Sequence, residues 1–277
     1  MEWSQMKIGL IQTKHNALYD FLNPKFDLSL PQCRSLQEQQ VQQNLALLKR
    51  AKGQGFDLLV TTECINYIRT SAKSRTEDAL LYPPLGCEDV ERLSNAARSA
   101  ESWLVAGFGY SENGRAYNAA LIFDRAGELR QVYQKTHLAG DESNTFTKGG
   151  SLCVQDADFG LFGVCVCWDM QFPEVARSLA LMGAQIIACP TWGWEADLYG
   201  RARSYENGVF TAAAMAVPAW GDIEPPRTPS SVITPAGEIL ICGPAQAAAL
   251  VECTLDLSQT SLYRAGRIGG RRPEHYR

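Results

Sequence analysis

Residues 160–174, GLFGVCVCWDMQFPE, leave the chain little freedom. Residues 161–166 are apolar and rich in β-branched side chains and cysteine, the mark of a buried strand. The run stops at Cys167, and Trp168, Asp169 and Phe172-Pro173-Glu174 lead into a helical pattern of Val175, Ala176, Leu179, Ala180 and Met182. Pro173 suits the first turn of that helix, where its missing N–H costs nothing. Cys167 therefore stands where a buried strand turns sharply into a helix. Such a turn exposes a side chain at the strand end and aims helix N–H groups at it. The expectation is a thiol of lowered pKa and good nucleophilicity. The plain alternative is packing, because cysteine usually acts as a small buried hydrophobe and the chain has nine. Cys165 is the direct rival, on the same side of a regular strand. Its position within the strand reads as buried, whereas Cys167 lies at the end.

Ahead of this stretch, residues 7–12 (KIGLIQ) read as a first strand and 35–52 as a helix with Leu36, Val41, Leu45 and Leu48 near one face. Gly53 and Gly55 end the helix, and 56–61 (FDLLVT) form the next strand. The connection 13–32, with Pro24 and Pro31, is long and reads either as a disordered insertion or as a flap beside a substrate mouth. Glu63 follows the second strand. A carboxylate there is costly unless paired, so it is a solvent-facing or capping residue, or else a general base in a partly dry site. A helix at 90–100 and strands at 103–110, 118–124 and 129–133 come next. Lys135, in the irregular stretch QKTHL, is either a solvated lysine or a fixed cation completing a site. Glu142, Phe146, Gly149 and Gly150 lie beyond it. After the Cys167 helix, 185–189 (QIIAC) is a strand running into Pro190-Thr191-Trp192-Gly193-Trp194, which suggests a βαβ unit. Trp192 and Trp194 sit on a strand-end loop, as binding or as packing groups. Residues 201–216 read as one helix, 231–234 and 238–242 as a hairpin, and 248–255 as a last strand.

A chain of 277 residues, 45% hydrophobic and 20% charged, is long enough for one large layered α/β domain spanning 1–277. Its polar, basic end, 261–277, reads as a surface or interface segment. A net charge of −4 argues against nucleic acid or an anionic membrane as partner. The best apolar run, 208–219, is too short to cross a bilayer and contains Pro218. Glu2 and a strand beginning by Lys7 lead to the expectation of no secretory signal. Nine cysteines without pairing-like spacing then read as reduced thiols in a cytoplasmic protein. Three separated histidines, His15, His137 and His275, and no C-x-x-C pair make a zinc site unexpected.

Glu63 at a strand end, Lys135 before a glycine-rich loop and Cys167 at a strand-to-helix turn, in that order, resemble the nitrilase superfamily of carbon–nitrogen hydrolases. The resemblance covers nearly the whole chain. It is carried by Cys167-Trp168-Asp169 with Phe172-Pro173-Glu174, and by Lys135-Thr136-His137-Leu138 with Glu142, Phe146 and Gly149. Arg201-Ala202-Arg203 with Glu206-Asn207, the hairpin ending at Gly237, and Arg271-Arg272-Pro273-Glu274 support it. The chain departs from the family pattern at Thr62, where proline is usual, in the long 13–32 segment, and at Ala214-Met215 in place of Ala-Asn. The implied fold is a four-layer α-β-β-α sandwich of two mixed β-sheets with outer helices, assembled as at least a homodimer.

The resemblance also implies roles. Glu63 takes the Cys167 proton, and the thiolate attacks a carbonyl or nitrile carbon. Lys135 and the Trp168 backbone N–H stabilise the oxyanion, and loss of one such donor typically costs roughly 100-fold. Glu142 is a second carboxylate holding Lys135 and substrate. Neither a metal nor an organic cofactor is required. Trp168, Trp192, Trp194 and Tyr67 are the expected substrate contacts. Asp169 stands where true nitrilases carry Glu, which favours amide or carbamoyl substrates. Met170 and Gln171 stand where family members that grip acidic substrates place arginine, which favours neutral or hydrophobic amides. N-carbamoyl amine hydrolysis is the main alternative. A non-catalytic scaffold and a redox sensor built on Cys165 and Cys167 are the readings from other classes.

Overall fold

The computed structural model describes residues 5–19, 28–68, 77, 79–218 and 227–276. Its described strands form two six-stranded sheets. The first contains β1 (Gln5–Gln12), β2 (Leu58–Val60), β3 (Trp103–Glu112), β4 (Arg115–Phe123), β5 (Leu129–Gln134) and β12 (Ala249–Asp256), in the order β12-β1-β2-β3-β4-β5. The second contains β6 (Cys153–Ala157), β7 (Gly160–Val164), β8 (Ile186–Thr191), β9 (Phe210–Met215), β10 (Ser231–Ile233) and β11 (Ile239–Cys242), in the order β11-β10-β9-β8-β7-β6. Each is mixed in the same way. A parallel trio (β1-β2-β3 and β7-β8-β9) is extended by antiparallel partners. The central strands β2 and β8 are buried at every residue, as expected for parallel strands covered on both faces.

Side-chain alternation sorts the core into layers. Ile8, Leu10, Leu58, Val60, Val105 and Ile122 of one sheet meet Val164, Ile186, Ala188, Phe210 and Ala212 of the other. On the opposite face of the first sheet, Leu59, Leu104, Phe108 and Leu121 pack under α1 (Leu30–Arg50) and α2 (Glu88–Ala100), which contribute Val41, Leu48, Leu93 and Ala97. On the opposite face of the second sheet, Cys165, Ile187, Cys189 and Ala213 pack under Val175, Ala176 and Leu179 of α3 (Pro173–Leu181). Helix α4 (Arg201–Asn207) lies against α3, and α5 (Ser258–Arg267) against α4. The result is the expected four-layer α-β-β-α sandwich.

Two expectations change. The helix read over 201–216 ends at Gly208, whose φ of 61° reverses the chain, and 210–215 is the strand β9. Its alanines are good helix formers, but pairing with β8 on one side and β10 on the other overrides that preference. Helix α1 begins at Leu30, with Pro31 in its first turn and the Ser29 N–H donating to Gln32 Oε1 at 2.9 Å, so the end of the 13–32 segment is helical. Within that segment, Thr13 and His15 are buried, and residues 20–27, including Pro24, lie outside the described residues. Strand β6 and the helix α5, which begins at Ser258 and runs into the basic end, were not foreseen. No helix of the described residues is long and apolar enough to cross a membrane. All nine cysteines are free thiols.

Candidate active site

Glu63 stands in a turn just past β2, and β3 fixes that turn. The Thr61 N–H donates to Val105 O, the Gly107 N–H to Thr61 Oγ1 and the Ile65 N–H to Gly107 O, each at 2.9 Å. Asn66 and Gly109 exchange two further bonds at 2.7 Å. Glycine is required at 107, because a Cβ there would come within 2.3 Å of Thr62 O and 2.7 Å of Glu63 Cα. The Glu63 carboxylate is fully buried. Its Oε1 accepts from Lys135 Nζ and from Asn118 Nδ2, both at 2.8 Å, and its Oε2 accepts from the Trp192 N–H at 3.1 Å.

Lys135 follows β5, with its backbone N–H on Asn118 O at 2.8 Å. Its ammonium also meets both oxygens of Glu142, at 3.0 and 2.8 Å. Glu142 lies on the one-turn helix Gly140–Asn144, and the Ala139 N–H holds its Oε2 at 2.6 Å. Two carboxylates thus share one buried cation. Asn118, on β4, donates to both of them, reaching Glu142 Oε1 at 3.2 Å. Asn118 was not singled out from the sequence, although an amide opening the apolar run 119–123 is itself a signal that a polar partner waits there. Burial pushes the Glu63 pKa up, opposed by Lys135 and reinforced by Glu142. Burial works against the Lys135 charge, but Glu63 and Glu142 outweigh it and hold its pKa well above the ordinary lysine value.

Past β7, the backbone at Cys167 enters the left-handed region with φ of 47°, a costly conformation for a residue with a side chain. There it opens the one-turn helix Cys167–Gln171 that precedes α3. This reversal breaks the strand alternation. Cys165 packs beneath α3, while Cys167 turns toward the inter-sheet core. Asp169, fully buried, holds the turn closed. Its Oδ2 accepts from the Val166 N–H at 2.9 Å and the Tyr133 hydroxyl at 2.7 Å. Its Oδ1 accepts from the Thr136 hydroxyl and the His137 N–H, both at 2.9 Å, with His137 Nδ1 at 3.0 Å. The His137 ring stacks on Phe172 at 4.1 Å. One carboxylate therefore ties the cysteine turn to the residues on either side of Lys135.

The Cys167 thiol does not have the lowered pKa its position suggested. Burial and the Glu63 charge push it up to about 12, against the opposing pull of Lys135, the Thr191 hydroxyl and the Trp192 N–H. The helix it opens is a single turn with little dipole, and the nearby cation is already shared by two carboxylates. The resting group is a thiol. Cys165 and Cys167 point to different layers, which removes the geometric basis for a redox pair.

Glu63, Lys135, Glu142 and Cys167 all open onto one cavity of about 490 Å³. Trp168, Trp192 and Tyr67 form part of its wall, with Tyr67 edge-on to Trp192 at 4.9 Å. Trp194 is placed elsewhere. It is fully buried in the outer layer of the second sheet, with its Nε1–H on Ser231 Oγ at 2.7 Å and its ring against Tyr199. Arg227 is on the wall and had no signal in its sequence context. Among the described residues, no cluster of His, Cys, Asp and Glu has the geometry to hold a metal ion.

A family model described as carbon-nitrogen hydrolase matches residues 28–265. Nitrilase homolog 2 of Dictyostelium discoideum is 31% identical over 222 residues, which is 72% of this chain and 62%, under two thirds, of that protein. Omega-amidase NIT2-B of Xenopus laevis is 30% identical over 243 residues, 78% of this chain and 83% of that protein. Among solved structures, a mutant of the amidase from Nesterenkonia sp. AN1, showing covalent addition of the acetamide moiety of fluoroacetamide at the active site cysteine, is similar in fold. Its TM-score is 0.75 at 22% identity, covering 99% of this chain and 96% of that one.

Proposed function

The chain belongs to the carbon-nitrogen hydrolase family, in the nitrilase superfamily, and from that premise we propose that it cleaves the C–N bond of a small amide through a thioester on Cys167. The observation that carries this reading is the convergence of Glu63, Lys135 and Cys167, which lie far apart in sequence, on one cavity. As substrate enters, Glu63 takes the thiol proton and the sulfur attacks the carbonyl carbon. A sulfur held protonated until that moment fits a base placed beside it. The oxyanion is met by Lys135 Nζ and the Trp168 N–H. Protonated Glu63 then gives its proton to the departing nitrogen, releasing ammonia or an amine. Water, deprotonated by Glu63, attacks the thioester and frees the carboxylic acid. Glu142 and Asn118 keep Lys135 and Glu63 aligned.

Ammonia release from a panel of amides, set beside N-carbamoyl compounds and nitriles, tests the reaction class. Amides turned over, with an acyl mass on Cys167 when the reaction is quenched, are the expected outcome. Cys167→Ala lowers kcat by on the order of 10⁴-fold or more, and full turnover by that variant overturns the nucleophile.

The chain acts as one hydrolase unit over 1–277 in this reading. Nine free cysteines suit a reducing cytoplasm. The exposed apolar residues Leu181, Met182, Tyr205 and Leu262 on and beside α3, α4 and α5, next to the 261–277 end, suit a homodimer interface. Sedimentation at low concentration that shows only monomer rejects that assembly.

A further inference from the structure

A hydroxyl stands beside the nucleophile. Strands β7 and β8 run parallel with Val164 opposite Ala188, and the Cys165 N–H on Ala188 O at 3.1 Å carries that pairing past the end of β7. Three residues further along each chain, the same register sets Thr191 next to Cys167. Thr191 closes β8, is fully buried and is paired on its other side with Met215 of β9, so its backbone is fixed. A hydroxyl in such a place is costly unless it is hydrogen-bonded. The Gly193 N–H, at 3.1 Å, occupies a lone pair of Thr191 Oγ1. That leaves the hydroxyl hydrogen to give, and Cys167 Sγ is its hydrogen-bond partner. Gly193 faces the same sulfur, since a Cβ built on it lies 4.0 Å from Cys167 Sγ.

Resting on the nucleophile assignment above, we propose that Thr191 is a catalytic donor, whose hydroxyl gives Cys167 Sγ a hydrogen bond that strengthens as the thiol becomes a thiolate. Thr191 keeps its hydrogen throughout, and the proton that leaves the sulfur goes to Glu63. In the resting thiol the sulfur is a weak acceptor, and the bond chiefly turns the S–H away from Thr191 and leaves it for the base. Once the proton has gone, the sulfur is charged, and a hydrogen bond to a charged partner is roughly twice as strong. In the thioester that charge is gone again. The donor therefore favours the attacking state over the states before and after it, which is what lowers a barrier. The charged groups facing the sulfur show why such a donor is needed. Glu63, on the turn past β2, disfavours the thiolate, and Lys135, past β5, is shared by two carboxylates. Thr191 comes from the other sheet and carries no charge for those carboxylates to claim.

The test sets Thr191→Val, Thr191→Ala and Thr191→Ser beside the wild type in two measurements. One is the rate at which iodoacetamide alkylates Cys167 at mildly alkaline pH, read from the mass of the peptide that contains it. The other is kcat and KM for propionamide. Valine keeps the shape of threonine and alanine makes room, and both remove the hydroxyl, whereas serine keeps it. The Trp192 N–H, which also pulls on the sulfur, is main chain and stays in every variant. Thr191→Val and Thr191→Ala slow alkylation by about threefold to tenfold, since the loss of thiolate is partly offset by the greater nucleophilicity of a more basic sulfur. They lower kcat by on the order of tenfold and leave KM within about twofold of wild type. Thr191→Ser stays within about threefold of wild type in both measurements. Alkylation as fast in Thr191→Val and Thr191→Ala as in the wild type, or as slow in Thr191→Ser as in Thr191→Val, overturns the assignment. So does a change confined to KM, which makes Thr191 a support for Gly193 alone. Absence of ammonia from propionamide and every other amide overturns the amidase reading, and the alkylation rates then decide the role of Thr191 by themselves.

Discussion

Glu63 and Asp169 are the same kind of group in the same degree of burial, and the molecule uses them oppositely. Each follows a strand of the parallel trio, one in either sheet, and each is fully buried. Asp169 has both oxygens filled by two backbone N–H groups, two hydroxyls and an imidazole nitrogen, supplied by its own turn and by Tyr133, Thr136 and His137. Glu63 has an ammonium, a side-chain amide and one N–H, and it borders the cavity. A proton can reach it there, and Lys135 still has Glu142 when it does. The comparison teaches that burial alone does not separate a reactive carboxylate from a structural one. The nature of the donors and the access to space do.

The largest effect that sharpens this contrast is Glu63→Gln. The amide keeps the size of the side chain but cannot accept the thiol proton, so kcat/KM falls by on the order of 10³- to 10⁴-fold, while its NH₂ displaces a single donor, the Trp192 N–H on Oε2, and lowers the melting temperature less than Asp169→Asn does. Asp169→Asn comes next and acts the other way round. Its NH₂ must face groups that already donate, at a cost of about 2–4 kcal/mol in stability, read as the shift of a denaturation midpoint. Its activity loss follows from a displaced cysteine turn. If Glu63→Gln proves the more destabilising of the two, the division of labour is wrong.

Much of this arrangement was legible because it sits where periodicity ends. Glu63, Lys135 and Cys167 each follow a strand, and a strand's length and apolar pattern survive in one dimension. Most of the strands and the helices α1, α2 and α3 were readable for the same reason, whereas their stacking into two facing sheets came from the family resemblance. What escaped depends on partners across the fold. Asp169 was read only as a substrate discriminator, since its donors Tyr133, Thr136 and His137 lie more than thirty residues earlier. Alanines hid β9, because they carry no strand preference of their own and are held there by β8 and β10. The Cys167 pKa was read with the wrong sign, because the helix length and the Glu63 charge that set it are matters of three-dimensional distance. Trp194 and Trp192 are two apart, and only a side-chain direction tells wall from core.

The smallest effect is read in the titration of Glu63. Burial disfavours the ionised form of Glu63, so its proton is held to a pH above the ordinary value of 4.5, with Lys135 opposing and Glu142 adding to the shift. The base must be ionised to take the thiol proton. As pH falls, kcat/KM therefore begins to drop at a pH above 4.5, and it recovers as pH rises through the raised pKa. The Asn118 amide bonds the charged form and pulls the pKa down. Asn118→Ala removes that pull, so the acid limb moves to still higher pH, alongside a roughly tenfold loss of rate. Asp169→Asn changes no group bonded to Glu63 and leaves the midpoint in place. Full pH profiles of kcat/KM for the wild type and both variants decide the matter. A midpoint that stays fixed in Asn118→Ala, or that moves equally in Asp169→Asn, means that the two carboxylates do not act as separate systems.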